Sequence, residues 1–136
     1  FYSKLEIKRK KSEIIKPNIK WNGGKGRELK TILPKLPQAF NTYVEPFFGG
    51  GALYWEIQPK NAIINDVNTT LINYWKTVKD TPNSIKEFIH KAEDNENYYY
   101  QLRDKFNRKE LTLEEQAGAF YYFNRTGFNG LWRVNK

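Results

Sequence analysis

Apolar residues along this chain recur at two spacings, and each spacing predicts a different kind of element. Leu29, Ile32 and Leu33 follow a glycine-rich turn over residues 19–26 at helical spacing, and the pattern stops at Pro34 and Pro37. Tyr43-Val44-Glu45-Pro46 reads as a short strand, Phe47-Phe48-Gly49-Gly50-Gly51 as a tight turn, and residues 52–57 as a helix that ends before Pro59. Ala62-Ile63-Ile64-Asn65-Asp66 is an apolar run closed by an acid, which suits a buried parallel strand with its polar residues at the carboxyl end. A strand, glycine turn, helix and second strand form a βαβ unit, so the expected fold class is α/β, built on part of a Rossmann-like sheet.

The remainder is predicted to be helical. Leu71, Ile72, Trp75 and Val78 recur at helical spacing, and Pro82 opens a helix through Ile85, Phe88 and Ile89 from a position where proline is tolerated. Tyr99, Leu102 and Phe106 mark another helix. Thr112 followed by Glu115 is a capping-box signature ahead of a helix carrying Ala119, Phe120 and Phe123. A glycine-rich loop begins at Thr126. The chain shows no internal repeat, low-complexity tract or Gly/Ser linker.

Composition narrows the function classes. An apolar content of 39% with 16% aromatic residues supports a packed core. The chain has no cysteine and a single histidine, His90, which excludes a disulfide framework or thiolate metal site and leaves no His cluster for a metal. No run approaches the roughly 20 apolar residues of a membrane span, and no secretory signal is legible, so a soluble cytoplasmic protein is expected. The formal charge of +8 favours a polyanionic partner. Most of it is N-terminal, since residues 1–30 carry +7. Lys8-Arg9-Lys10-Lys11 reads either as a nucleic-acid arm or as a solvated tail. Methionine is absent, including from position 1, and the sequence is therefore read as an internal or trimmed piece.

The bend at 49–51 lets backbone approach a ligand closely, and a helix follows it. It is not G-x-G-x-x-G, which argues against a dinucleotide, and the chain lacks G-x-x-x-x-G-K-[ST]. Asp66 stands 16 residues after Gly50 at the end of the next strand, where a carboxylate can accept both hydroxyls of a ribose. Read alone, three glycines and a strand-end acid also fit plain connection chemistry.

Four motifs in order add to this reading. Trp21-x-Gly23-Gly24-Lys25, Glu45-Pro46-Phe47-x-Gly49-Gly50-Gly51, Asn65-Asp66-x-Asn68 and Asn124-Arg125-x-Gly127-Phe128-Asn129-Gly130-Leu131-x-Arg133-x-Asn135 together resemble the Dam-type (D12 class) DNA adenine-N6 methyltransferases over roughly residues 19–136. The resemblance implies a basic tail over 1–18, a cofactor-binding βαβ part over 19–80 and a helical target-recognition region over 81–136. It implies S-adenosyl-L-methionine as cofactor, with Trp21 and Lys25 bounding the pocket and Lys25 near the methionine carboxylate. Phe47, Gly49, Gly50 and Gly51 would form the turn under the cofactor, and Asp66 would hold its ribose. On the residues alone, Trp21 also reads as core and Lys25 as a solvated turn side chain.

The resemblance further implies double-stranded DNA as a partner. Arg133 is expected to read a guanine and Arg125 to position phosphate or structure, while Phe128, Asn129 and Leu131 enter the duplex near an extruded adenine. Without it, the loop reads as a glycine-rich turn with a small apolar anchor. The family's Asp-Pro-Pro-Tyr segment, which polarises the adenine amine, is absent: the six prolines (17, 34, 37, 46, 59 and 82) are all isolated. The isolated chain is thus expected to be inactive and to require the remainder of the methyltransferase, in cis or as a second chain. The competing expectation is a catalytically inactive homologue that serves as a DNA-binding module. The expected setting is bacterial or phage, the target a GATC-like site.

Overall fold

The computed structural model describes residues 15–127, which fall into two compact units, one ending at Asp66 and the other beginning at Val67. The expected DNA-contacting residues Phe128, Asn129, Leu131 and Arg133 lie outside the described residues, as do Lys8 to Lys11. No helix among the described residues is long and apolar enough to cross a membrane.

The first unit begins with a 3-10 turn, Lys25–Arg27, which leads into helix α1 (Leu29–Ile32) and a second 3-10 turn, Leu33–Lys35. Pro34 sits near the start of that second turn, where its missing N–H costs nothing. Strand β1 (Tyr43–Glu45), helix α2 (Ala52–Ile57) and strand β2 (Ala62–Ile64) then form the expected βαβ unit. The strands pair in parallel, with Tyr43, Val44 and Glu45 opposite Ala62, Ile63 and Ile64. Tyr43, Leu53 and Ile57 make the core of this unit, and Leu29, Ile32, Leu33, Leu36 and Tyr54 pack around it.

The second strand departs from the buried one expected of residues 62–66. β2 is parallel but not buried, because the described sheet has two strands and only one of its faces is covered. Val44 and Ile63, paired across the outer face, are 61% and 60% exposed.

The second unit is helical: α3 (Thr69–Asp80), α4 (Pro82–Lys91), α5 (Glu96–Asn107) and α6 (Leu113–Thr126). The Asn68 side chain caps α3 by accepting from Leu71 N–H, and Asn95 caps α5 by accepting from Tyr98 N–H. Thr112 and Glu115 form a reciprocal capping box at the start of α6. α6 packs on both α3 and α4. Leu71, Tyr74 and Phe120 are the largest fully enclosed side chains, and the Tyr74 and Phe120 rings lie 5.1 Å apart. Gly118 allows the close approach of α4, since a Cβ there would come within 2.4 Å of Phe88 Cγ. The three consecutive tyrosines on α5 face different ways: Tyr98 and Tyr99 meet Tyr122, whereas Tyr100 is exposed beneath the Arg103 guanidinium. The chain is therefore mixed α/β, mostly helical, with a small parallel sheet.

Candidate functional site

The carboxyl ends of β1 and β2 lie side by side, so the segments leaving them, 46–51 and 65–66, are neighbours. Hydrogen bonds tie them together. Phe48 N–H donates to the Asn65 carbonyl at 2.9 Å, Asn65 Nδ2 donates to the Pro46 carbonyl at 3.3 Å, and Gly49 N–H donates to Asp66 Oδ2 at 2.9 Å. The strand-end acid is thus bonded directly to the glycine bend. Asp66 is only partly buried, so its carboxylate sits at a surface rather than in the core.

The bend is shaped by what its residues lack. Gly49 has φ +54° and Gly51 φ +74°, a left-handed backbone that side chains rarely tolerate. A Cβ on Gly49 would stand 2.9 Å from Trp21 Cδ1, so the indole lies directly against the bend. Between the glycines the chain turns by a bond from Gly51 N–H to the Phe48 carbonyl, and α2 begins at Ala52. Phe48 is buried beneath the turn while Phe47, 76% exposed, projects from it.

Glu45, at the end of β1, is the centre of a charged network whose pairing no spacing in the sequence predicts. Glu45, only 5% exposed, accepts from the Tyr43 hydroxyl and from Lys25 Nζ, the latter at 2.9 Å. Lys25 also donates to the Phe47 carbonyl. Burial, then the hydrogen bond to Glu45 and its negative charge, push the Tyr43 hydroxyl far above the usual phenol range, so it remains a donor. Lys25 was expected at the site from the sequence, whereas the signal for Glu45 as its anchor was an acid two positions after an aromatic in an otherwise apolar strand.

A groove of about 680 Å³ opens beside the bend, with Ile19, Trp21, Gly24, Arg27, Gly50 and Glu56 among its walls. Its size suits a drug-sized ligand. Of the residues expected to bind a cofactor, Trp21 and Gly50 line this groove, whereas Lys25, Phe47, Gly49, Gly51 and Asp66 do not. All seven still belong to one unit, with Lys25 and Phe47 joined by a hydrogen bond and Gly49 touching both Trp21 and Asp66. The set offers a cation in Lys25, a carboxylate acceptor in Asp66 and close backbone at the bend. In the other unit, Arg125 is exposed at the end of α6 with its guanidinium 5.6 Å from the Tyr121 ring centre, and Asn124 beside it is buried.

The profile of the D12 class N6 adenine-specific DNA methyltransferase family matches residues 21–136. The chain is 39% identical to the type II methyltransferase M1.LlaDCHI of Lactococcus lactis subsp. cremoris, over 96% of this chain and 48% of that protein. It is 34% identical to the type II methyltransferase M.MjaIII of Methanocaldococcus jannaschii, over 90% of this chain and 49% of that protein. It is 35% identical to the DNA adenine methylase of Haemophilus influenzae, over 88% of this chain and 43% of that protein. The chain spans about half the length of the curated relatives it matches.

Proposed function

This chain belongs to the D12 class of N6 adenine-specific DNA methyltransferases, and from that premise we propose that it supplies the S-adenosyl-L-methionine pocket and the start of the DNA-reading loop of such an enzyme. On this reading the βαβ unit is part of a Rossmann-like methyltransferase sheet, and the helices from α4 onward belong to a target-recognition region. The observation that carries the proposal is the hydrogen bond from Gly49 N–H to the Asp66 carboxylate, which sets the acid against the bend although neither residue lines the groove beside it.

Each residue then has a defined task. Asp66 accepts from the ribose hydroxyls; a carboxylate offers about four acceptor positions, so holding Gly49 and holding a sugar are compatible. Gly49, Gly50 and Gly51 let the backbone run under the middle of the cofactor, with Phe47 and Trp21 as flanking aromatic surfaces. Lys25 meets the methionine carboxylate. When bound, S-adenosyl-L-methionine supplies an electrophilic methyl group on its sulfonium. Arg125 positions the DNA backbone or its own loop, while Phe128, Asn129, Leu131 and Arg133 act at the base steps, with Arg133 reading a guanine of a short adenine-containing site of the GATC kind. This sequence has no Asp-Pro-Pro-Tyr segment, so on this reading turnover requires that segment from the remainder of the methyltransferase, in cis or on a second chain.

The direct test is calorimetric titration of the chain and of Asp66→Ala with S-adenosyl-L-methionine. The wild type binds, and the variant is weakened about ten- to a hundredfold, the worth of hydrogen bonds to a charged acceptor. Equal affinities would remove Asp66 from the pocket, and with it the reading of the bend.

A further inference from the structure

We propose that Glu45 is a positioning residue for the cofactor's amino-acid tail: by holding the Lys25 ammonium against the Phe47 carbonyl, it aims the lysine's remaining N–H at the tail carboxylate. The inference rests on the cofactor reading above and deepens it.

Three observations carry it. First, Glu45 is a carboxylate 5% exposed at the carboxyl end of a parallel strand, the end of a strand at which ligands bind in α/β sheets. Burying such a group is costly unless it is paired and hydrogen-bonded, and here the Tyr43 hydroxyl takes one oxygen while Lys25 takes the other. Second, the Lys25 ammonium has three donors, and two of them are committed, to Glu45 Oε1 and to the Phe47 carbonyl. With two tetrahedral directions fixed, the third is fixed as well. Third, the Lys25 side chain keeps 31% of its surface exposed against 6% for Glu45, so the cation meets solvent while its anchor does not. A flexible four-carbon side chain is thereby made directional, and the entropy of ordering it is spent on folding rather than on binding.

The rival explanation is that the Lys25–Glu45 pair merely staples the turn at 23–26 to β1. The two differ in which part of the ligand they affect. S-adenosylhomocysteine carries the amino-acid tail, whereas 5′-methylthioadenosine has the same nucleoside without it. Calorimetric titration of the wild type, Glu45→Gln and Lys25→Met with both ligands separates the explanations, and each variant's affinity for methylthioadenosine reports whether its pocket is intact. The expected result is that Glu45→Gln weakens S-adenosylhomocysteine about tenfold, one charge-assisted hydrogen bond's worth, while methylthioadenosine changes less than about twofold. Lys25→Met gives a similar loss, and the double variant loses no more than either alone, since both act through one ammonium. Should Glu45→Gln fail to fold, Glu45→Asp keeps the charge but draws the anchor back, and a smaller loss confined to the tailed ligand is expected.

Equal losses for both ligands would mean that the pair is only a staple. Tighter binding of S-adenosylhomocysteine by Glu45→Gln would mean that Glu45 repels the tail carboxylate rather than presenting Lys25 to it. Either result overturns the proposal. Failure of the wild type to bind either ligand overturns the cofactor reading itself, and the role of Glu45 with it.

Discussion

Tyr43 shows how one residue can serve both the core and the site. Its ring packs with Leu53 and Ile57 in the core of the first unit, and its hydroxyl donates to Glu45. Because burial and the neighbouring carboxylate raise its pKa above the ordinary 10.0, the folded state holds the phenol proton more tightly than the unfolded chain does. The stability this contributes is complete below about pH 10 and is lost as pH rises beyond it. Tyr98 and Tyr122 are raised too, in each case first by burial and then by nearby acids. Alkaline titration followed by both phenolate absorbance and circular dichroism is therefore expected to show late tyrosine ionisation coupled to unfolding. Tyr43→Phe costs about 1–3 kcal/mol at neutral pH by withdrawing a donor from a buried carboxylate. It also makes the alkaline decline shallower without abolishing it. An unchanged alkaline limb in that variant would mean that Tyr43 is not among the tyrosines that report.

Most elements of this chain were legible in its sequence, for a physical reason: their signals are local. Pro82 at the start of α4, the Thr112 and Glu115 capping box of α6 and the glycine bend ahead of α2 all act within a few residues of themselves. The site was less legible. The bond between Gly49 and Asp66 follows once β1 and β2 are taken as parallel neighbours, but the pairing of Lys25 with Glu45 joins residues 20 apart through a turn whose course no periodicity encodes. The approach of α4 to α6 is another contact that sequence spacing does not reveal. Gly118 reads as a weak point in a helix, since glycine costs about 1 kcal/mol there relative to alanine. Its surroundings reverse the sign, because any Cβ meets Phe88 Cγ at 2.4 Å and Cβ at 2.7 Å. Gly118→Ala is thus expected to destabilise by about 1–3 kcal/mol through overpacking, despite the better helix former. Thermal unfolding checks this, and a raised midpoint would mean that the two helices are not in close contact. In the Phe88→Ala background the penalty should shrink, because the Cγ and ring atoms that obstruct most closely are gone.

At the scale of the whole molecule, the sheet is the conspicuous feature. Parallel strands are ordinarily covered on both faces, since their crossover helices pack there. In this chain Tyr43 and Glu45 face the covered side, whereas Val44 and Ile63 stand opposite each other on the bare side at 61% and 60% exposure. The apolar reading of residues 62–66 expected a buried strand because hydrophobicity records what a residue is suited to meet, and nothing among the described residues covers this face. The same chain spans about half the length of its relatives. An exposed apolar pair beside an open strand edge favours self-association, and polar β-branched substitutions there weaken it while keeping strand propensity. Val44→Thr with Ile63→Thr is expected to lower the sedimentation-measured self-association of the chain while leaving its helical circular dichroism intact. Its unfolding free energy should move by no more than about 0.5 kcal/mol per site, as for other exposed positions. The same two changes placed in an enzyme whose second half covers this face would cost several times more, because each would then bury an unpartnered hydroxyl. A large loss of stability in the 136-residue chain itself would mean that the face is already covered there.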